Sequence, residues 1–361
     1  MSVQVSYKKQ TAFFILSILI ILSVVEFTIR IYDYYNPNCN FVNSDVFADV
    51  DDNLKLQICR DNVSLKWEIN PLLLIPNQNL DTITVNSDGF RGNELSSNPD
   101  YRIFVIGGST TFGVGATSDS KTIPYFLQEK MNKVFPNQNI EIINAGIPQA
   151  YSFTESTLIK EKILLYSPDL LIIYDGWNDL GQDYEFYSQG TDPIFLDKLV
   201  RYIGKSDYVT PKFILTYYFN LKHNSDEIVH FNSYKINEKI SLWKNTWKDI
   251  CQLEKENNFK TIVTLQPLVG TGQKNLTSEE SSNFIKFDGE SAIFYYDSYQ
   301  SALNELNSKC FSTLDLRNAF DSNAETIFYD FGHVGDFGNK IIAEKIYEKI
   351  TPIIIEDIQA P

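Results

Sequence analysis

From Arg102 onward the chain alternates short apolar runs with amphipathic stretches, and that alternation leaves few architectures open. Apolar runs separated by helical patterns are how βαβ units read, because parallel strands joined this way are buried on both faces. Residues 102–106 (RIFVI) form the first predicted strand, 123–134 the first helix and 140–143 the second strand. A helix over 154–166 and a strand over 170–174 (LLIIY) follow. After a break, the pattern resumes with a helix over 236–257, a strand over 261–266, a helix over 298–307, a strand over 313–316 and a last helix over 338–350. The fold class expected is α/β with a parallel sheet, in a domain over 101–355.

The break, at about 183–235, is aromatic and irregular, and it reads as an insertion beside the site. Its Tyr184, Phe186, Tyr187, Tyr217, Tyr218 and Phe219 either line an acyl or sugar site or pack a core. Residues 32–100, rich in Asn, Asp and Pro, read as an irregular extracytoplasmic lead-in with few helices.

At the front, residues 11–25 carry no charge and 27–31 continue the apolar character across Glu26 and Arg30. A spanning helix needs about 20 mostly apolar residues. Lys8 and Lys9 ahead of the run predict a signal anchor over 11–31, with residues 1–10 cytoplasmic and the body outside. A cleaved secretory signal and a buried core helix are the competing readings, although no small-x-small cleavage site follows the run. Glu26 is the weak point, since a carboxylate inside a membrane is costly away from the interface.

Net charge is −15, which disfavours nucleic acid and anionic lipid surfaces as partners. Cys39, Cys59, Cys251 and Cys310 show no CxxC spacing, so no zinc or redox site is expected. In an exported body, Cys39 with Cys59 and Cys251 with Cys310 make acceptable disulfides, among three possible connectivities. The sequons at Asn62 and Asn275 are compatible with export. Oligomeric state is not legible.

In an open parallel sheet, ligands bind beyond the carboxyl ends of the strands. Those ends read Gly107-Gly108-Ser109, Asn144-Ala145-Gly146 and Gly176-Trp177-Asn178-Asp179, and Asp330-Phe331-Gly332-His333 precedes the last helix. Acyl transfer needs a nucleophile, a base, a group that orients the base, and donors for the oxyanion. Ser109, His333 and Asp330 can fill the first three roles, and the N–H groups of Ser109 and Gly146 with the amide of Asn178 the fourth. Taken singly, each has a plainer reading: Ser109 as a helix cap, Asn178 and Asp179 as turn residues, His333 and Asp330 as a solvated loop. Their joint occurrence at strand ends favours the chemistry. His223 and His230 lack a neighbouring D-x-x-H carboxylate.

Rival motifs fail. An α/β-hydrolase elbow needs a glycine where Thr111 stands, a phosphate loop needs Lys-Ser/Thr after its glycines, and Gly113-Val114-Gly115 has Ser118 where a dinucleotide fingerprint needs its third glycine.

At these four blocks the sequence resembles the SGNH (GDSL-like) hydrolases, over roughly 102–350 apart from the insertion. Gly108 stands where the first block commonly has Asp. The resemblance implies a flavodoxin-like three-layer α/β/α sandwich and a Ser109–His333–Asp330 esterase mechanism with no metal or cofactor. Its substrates would be esters such as acylated sugars, lipids or thioesters, and an anchored, outward-facing enzyme makes O-acetyl or other small acyl groups on cell-surface carbohydrate the first expectation. A lipid or lysophospholipid esterase, an O-acyltransferase, or a surface glycan-binding protein that has lost activity are the alternatives. Residues 86–92 (NSDGFRG) resemble a segment ahead of the catalytic domain in membrane-anchored members, with no catalytic role assigned.

Overall fold

The computed structural model describes residues 6–37, 39–69, 72–181, 208–214 and 235–359. The chain divides into two compact units, Met1–Asn38 with Glu185–Glu227, and Cys39–Tyr184 with Ile228–Pro361. Most of the predicted insertion, including its six aromatic residues, His223 and His230, lies outside the described residues.

In the first unit the helix Tyr7–Tyr35 extends past both ends of the predicted 11–31 span, and none of its residues is buried. It is long and apolar enough to cross a membrane. Thr11, Ser17, Ser23 and Thr28 each turn their hydroxyl back to the carbonyl four residues earlier, which leaves these donors satisfied within the helix. Glu26, the weak point of the sequence reading, pairs with Arg30 at 2.8 Å. It also accepts from the N–H groups of Val209 and Thr210 at 2.8 and 2.9 Å.

The second unit begins with the lead-in, which is more ordered than its composition suggests. Helix Asp52–Ser64 is capped by Asp51, whose carboxylate accepts from the Asn53 N–H at 2.9 Å. Two antiparallel ribbons follow, β1 (Trp67–Ile69) with β2 (Leu72–Leu74) and β3 (Gln78–Asn79) with β4 (Thr84–Val85). Arg91 then bridges Val85 on one side and Asn144 of the main sheet on the other. Cys39–Tyr184 and Ile228–Pro361 form one compact unit, so the lead-in from Cys39 packs with the residues of the main sheet.

The main sheet has β5 (Tyr101–Gly107), β6 (Ile140–Gly146), β7 (Leu170–Asp175), β8 (Lys260–Leu265) and β9 (Ser312–Asp315), in the order β6-β5-β7-β8-β9. All four pairings are parallel. This is an α/β fold. Ile103 to Ile106 and Leu170 to Ile173 are fully buried, as strands covered on both faces require. Helix Ile123–Val134 packs on Asp336–Gln359, whereas Ile236–Gln252 packs on Ser152–Glu161 and Gly289–Leu306. Right-handed crossovers put these two groups on opposite faces, because the chain steps from β5 to β6 in one direction and returns to β7 in the other. At the β6 edge, the Gln128 amide donates to Ile140 O and accepts from Ile142 N–H, both at 2.7 Å.

Helix Ser278–Lys286 was not foreseen, and Gly289–Leu306 starts well before the predicted 298–307. The disulfides join Cys39 to Cys59 and Cys251 to Cys310. The second closes 59 residues around β8, and by loop-closure entropy such a crosslink stabilises the fold by roughly 2–4 kcal/mol. Replacing Cys251 and Cys310 together by Ser should lower the unfolding free energy by that amount in a denaturant titration.

Candidate active site

Gly107 is in register with Gly146 on one side and Tyr174 on the other, so β5, β6 and β7 end level. The chain steps from β5 to β6 and later to β7 on opposite sides, and at such a switch point a crevice opens. Ser109 opens a one-turn helix, Ser109–Phe112, directly after β5. At the first position of that helix its N–H has no intrahelical acceptor.

The loop carrying Asp330 and His333 is closed at its base by a bridge between Phe328 and Val334 and by the Tyr329 N–H donating to His333 O at 3.1 Å. Ahead of it, the buried Glu280 carboxylate accepts from the N–H groups of Ile327 and Phe328 at 3.0 and 3.3 Å and pairs with Lys274 at 2.6 Å. Asp330 divides its two oxygens between two tasks. Oδ1 accepts from the N–H groups of Gly332 and His333 at 2.9 and 2.8 Å, building the turn, and Oδ2 faces His333 Nδ1 at 2.8 Å. That division explains the D-x-x-H spacing physically, since an Asx-type turn brings the residue three positions on back to the same carboxylate.

His333 Nε2 lies 2.6 Å from Ser109 Oγ, so the loop and the nucleophile turn meet across 224 residues of sequence. The imidazole is stacked on the Tyr329 ring, whose hydroxyl donates to Val114 O at 2.8 Å. Phe41 and Phe47 pack on the other parts of Tyr329, with ring centroids 5.0 and 5.5 Å away. Burial disfavours the imidazolium, but the Asp330 charge and hydrogen bond outweigh it and His333's pKa is raised. Burial also pushes the Asp330 carboxyl up, while His333 and the two N–H donors bring it below the usual range.

Asn178 is brought to the same place. Its Nδ2 donates to Ala150 O at 2.6 Å and lies where a Cβ on Gly108 would stand. An amide carries two hydrogens, so one remains for another acceptor. This crowding supplies a reason for glycine, in place of the usual Asp, at position 108.

Gly146 does not fit the role expected of it. Its N–H donates to Asn144 Oδ1 at 3.0 Å, and its missing side chain makes room for the Phe112 backbone. Glycine there serves the close approach of two backbones. What β6 leads into is the turn Ile147-Pro148-Gln149-Ala150, closed by Ala150 N–H to Ile147 O at 3.0 Å. Gln149 is exposed there with a φ of 68°, at the position where a type II turn favours glycine. Pro148 one residue earlier was the sequence signal for this turn. Asp179, read singly as a turn residue, is fully buried and accepts from the Ser152 N–H and hydroxyl, which locks the loops after β6 and β7 together.

A hydroxyl bonded to an imidazole that is bonded to a carboxylate can transfer an acyl group without a metal. Among the described residues no group of three or more His, Cys, Asp or Glu side chains is arranged to hold a metal ion.

No family model and no curated protein matches the chain. Solved structures that are similar include the acetyl xylan esterase AlAXEase, at 14% identity and a TM-score of 0.41, covering 69% of this chain and 99% of that one. Axe2, an acetylxylan esterase from Geobacillus stearothermophilus, is 14% identical with a TM-score of 0.41, over 71% and 97%. LAE5, an alpha/beta hydrolase enzyme from the metagenome of Lake Arreo, is 12% identical with a TM-score of 0.42, over 69% and 94%.

A base must be neutral to accept a proton, so a raised His333 pKa moves the acid limb of kcat/KM above the ordinary 6.5. In Asp330→Asn, burial alone remains and the limb should fall below 6.5, which a pH–rate profile measures. The same shift makes the folded form bind this proton more tightly than the unfolded one. Its contribution to stability is complete below pH 6.5 and is lost as pH rises through the folded value. Gly108→Ala should push the Asn178 amide aside, and kcat should fall by about 10²- to 10³-fold if that amide donates to developing charge, which steady-state kinetics beside wild type would measure.

Proposed function

We propose that the chain is a serine esterase of the SGNH (GDSL-like) type, built as a flavodoxin-like α/β/α sandwich. The hydrogen-bonded series Ser109 Oγ, His333, Asp330 carries this reading. In it, His333 takes the hydroxyl proton as Oγ attacks the ester carbonyl, and Asp330 holds the tautomer and steadies the imidazolium. The Ser109 N–H and the Asn178 amide donate to the developing oxyanion, and Gly146, whose N–H goes to Asn144 Oδ1, is left out of that set. His333 returns its proton to the departing alcohol, leaving an acyl group on Ser109. Water deprotonated by His333 then releases the acid and restores the serine.

The strand order and the two helix groups support the sandwich. The helix Tyr7–Tyr35, apolar after Lys8 and Lys9 in its first turn, supports a membrane anchor with the body on the outer side, and two disulfides fit an oxidising compartment. The substrate read from this setting is an O-acetyl or other small acyl ester on cell-surface carbohydrate. Retention of the whole serine, histidine and carboxylate set weighs against a purely binding role.

Full-length protein in detergent should hydrolyse p-nitrophenyl acetate faster than the butyrate and longer esters. Ser109→Ala should lower kcat at least about 10³-fold, as removal of a residue acting within such a unit does. Undiminished turnover in that variant would sink the mechanism. Absence of turnover by a folded wild type would instead favour transfer to a sugar hydroxyl or binding.

A further inference from the structure

The NSDGFRG segment has no part in the chemistry above, yet it supplies the most heavily bonded buried cation near it. The Arg91 side chain is 1% exposed. Its Nε donates to Asp119 Oδ1 at 2.8 Å, and one Nη2 hydrogen goes to Thr82 O at 3.0 Å. Nη1 donates to both Phe112 O and Gly113 O, at 3.0 and 2.9 Å, and the guanidinium lies 4.7 Å over the Phe112 ring. Phe112 and Gly113 are the last residue and the cap of the helix that Ser109 begins.

A helix of four residues has almost no stability of its own, because nucleation costs more than one turn of hydrogen bonds returns. Its last carbonyls also lack intrahelical partners. Here those carbonyls are held from outside, by Arg91 and, at Phe112 O, by the Asn144 amide at 3.1 Å. The Arg91 backbone N–H in turn donates to Asn144 O at 3.2 Å, fixing the cation to β6. A planar fork with five donors can meet two consecutive carbonyls, a third carbonyl and a carboxylate together, which an ammonium point charge cannot. Replacing buried charges with packed apolar groups is often neutral or stabilising, so stability alone does not account for a guanidinium here.

We propose that Arg91 is a positioning residue: by gripping the far end of the Ser109–Phe112 helix it sets where the Ser109 hydroxyl stands relative to His333. This rests on the esterase reading. Arg91 touches no substrate and acts through the helix.

The test compares wild type, Arg91→Lys and Ser109→Ala as full-length proteins, with active sites counted by a fluorophosphonate that labels Ser109. Displacing a nucleophile by a fraction of an ångström to an ångström costs on the order of 10- to 100-fold in rate. Arg91→Lys should therefore lose that factor in kcat per active site and in the labelling rate constant, with KM within about threefold of wild type. A structural role alone would lower the melting temperature and the number of active sites but leave kcat per site unchanged, and that result overturns the proposal. If Arg91→Lys does not fold, Asp119→Asn, which neutralises the partner of Nε, is judged in the same way: a fall in kcat per site supports the proposal and an unchanged value overturns it. A wild type that neither turns over esters nor labels removes the function and this proposal together. A wild type that labels beside an Arg91→Lys that labels equally fast removes this proposal alone.

Discussion

At the carboxyl ends of β5, β6 and β7 there is no space for a β-carbon. One on Gly107 would overlap the Thr111 hydroxyl and the Tyr174 carbonyl, one on Gly108 the Asn178 amide, and one on Gly146 the Phe112 backbone. The strand ends are level and pressed together, and the turn leaving β5 runs across the end of β6 with only backbone between them. Close packing of this kind is stiff, since interiors have few voids into which a displaced segment can relax. The start of the Ser109 helix is therefore confined by crowding from neighbouring strands, while its far end is held by the hydrogen bonds of Arg91 and Asn144.

The sheet was legible because strands buried on both faces have to be apolar without interruption, and few other segments in the chain are. Ser109, Asn178, Asp330 and His333 were legible because they sit at strand ends or in a tight loop, where an α/β architecture displays side chains. Gly146 is ambiguous in the sequence for a physical reason: glycine is needed wherever backbones approach closely, whether the neighbour is a ligand or, as here, the Phe112 backbone. Helix Ser278–Lys286 had its signal in Thr277 and Glu280, a reciprocal cap in which each side chain bonds the other residue's N–H. The short apolar content between them hid it. Helix Asp52–Ser64 buries only Ile58, Cys59 and Asp61, too few positions to leave a clear periodicity.

The contacts of the lead-in were the least legible, because their partners are distant in sequence. Arg91 reaches the helix behind the serine, and Phe41 and Phe47 reach the tyrosine behind the histidine. A charged residue in an Asn- and Asp-rich stretch reads as solvated, and nothing local marks it as buried. A second polar group behind the site was equally unreadable. Asp175 accepts from the Trp243 indole at 2.9 Å, and Asp179 and Glu155 are buried near it. Burial first, and then the neighbouring carboxylates, push Asp175 and Glu155 well above the ordinary carboxylate range. The floor beneath the GWND loop is thus acidic in composition, and burial there disfavours the charged carboxylates.

Gln128 carries a different kind of consequence. By donating to Ile140 O and accepting from Ile142 N–H, its amide makes the two bonds that an adjoining strand would make to the outer side of β6. A free edge is a template on which another chain can dock and from which fibrils grow. Gln128 from the covering helix and, further along, the Arg91 N–H on Asn144 O occupy part of that template. Copies of the protein crowded in one place would find that part of the edge already taken.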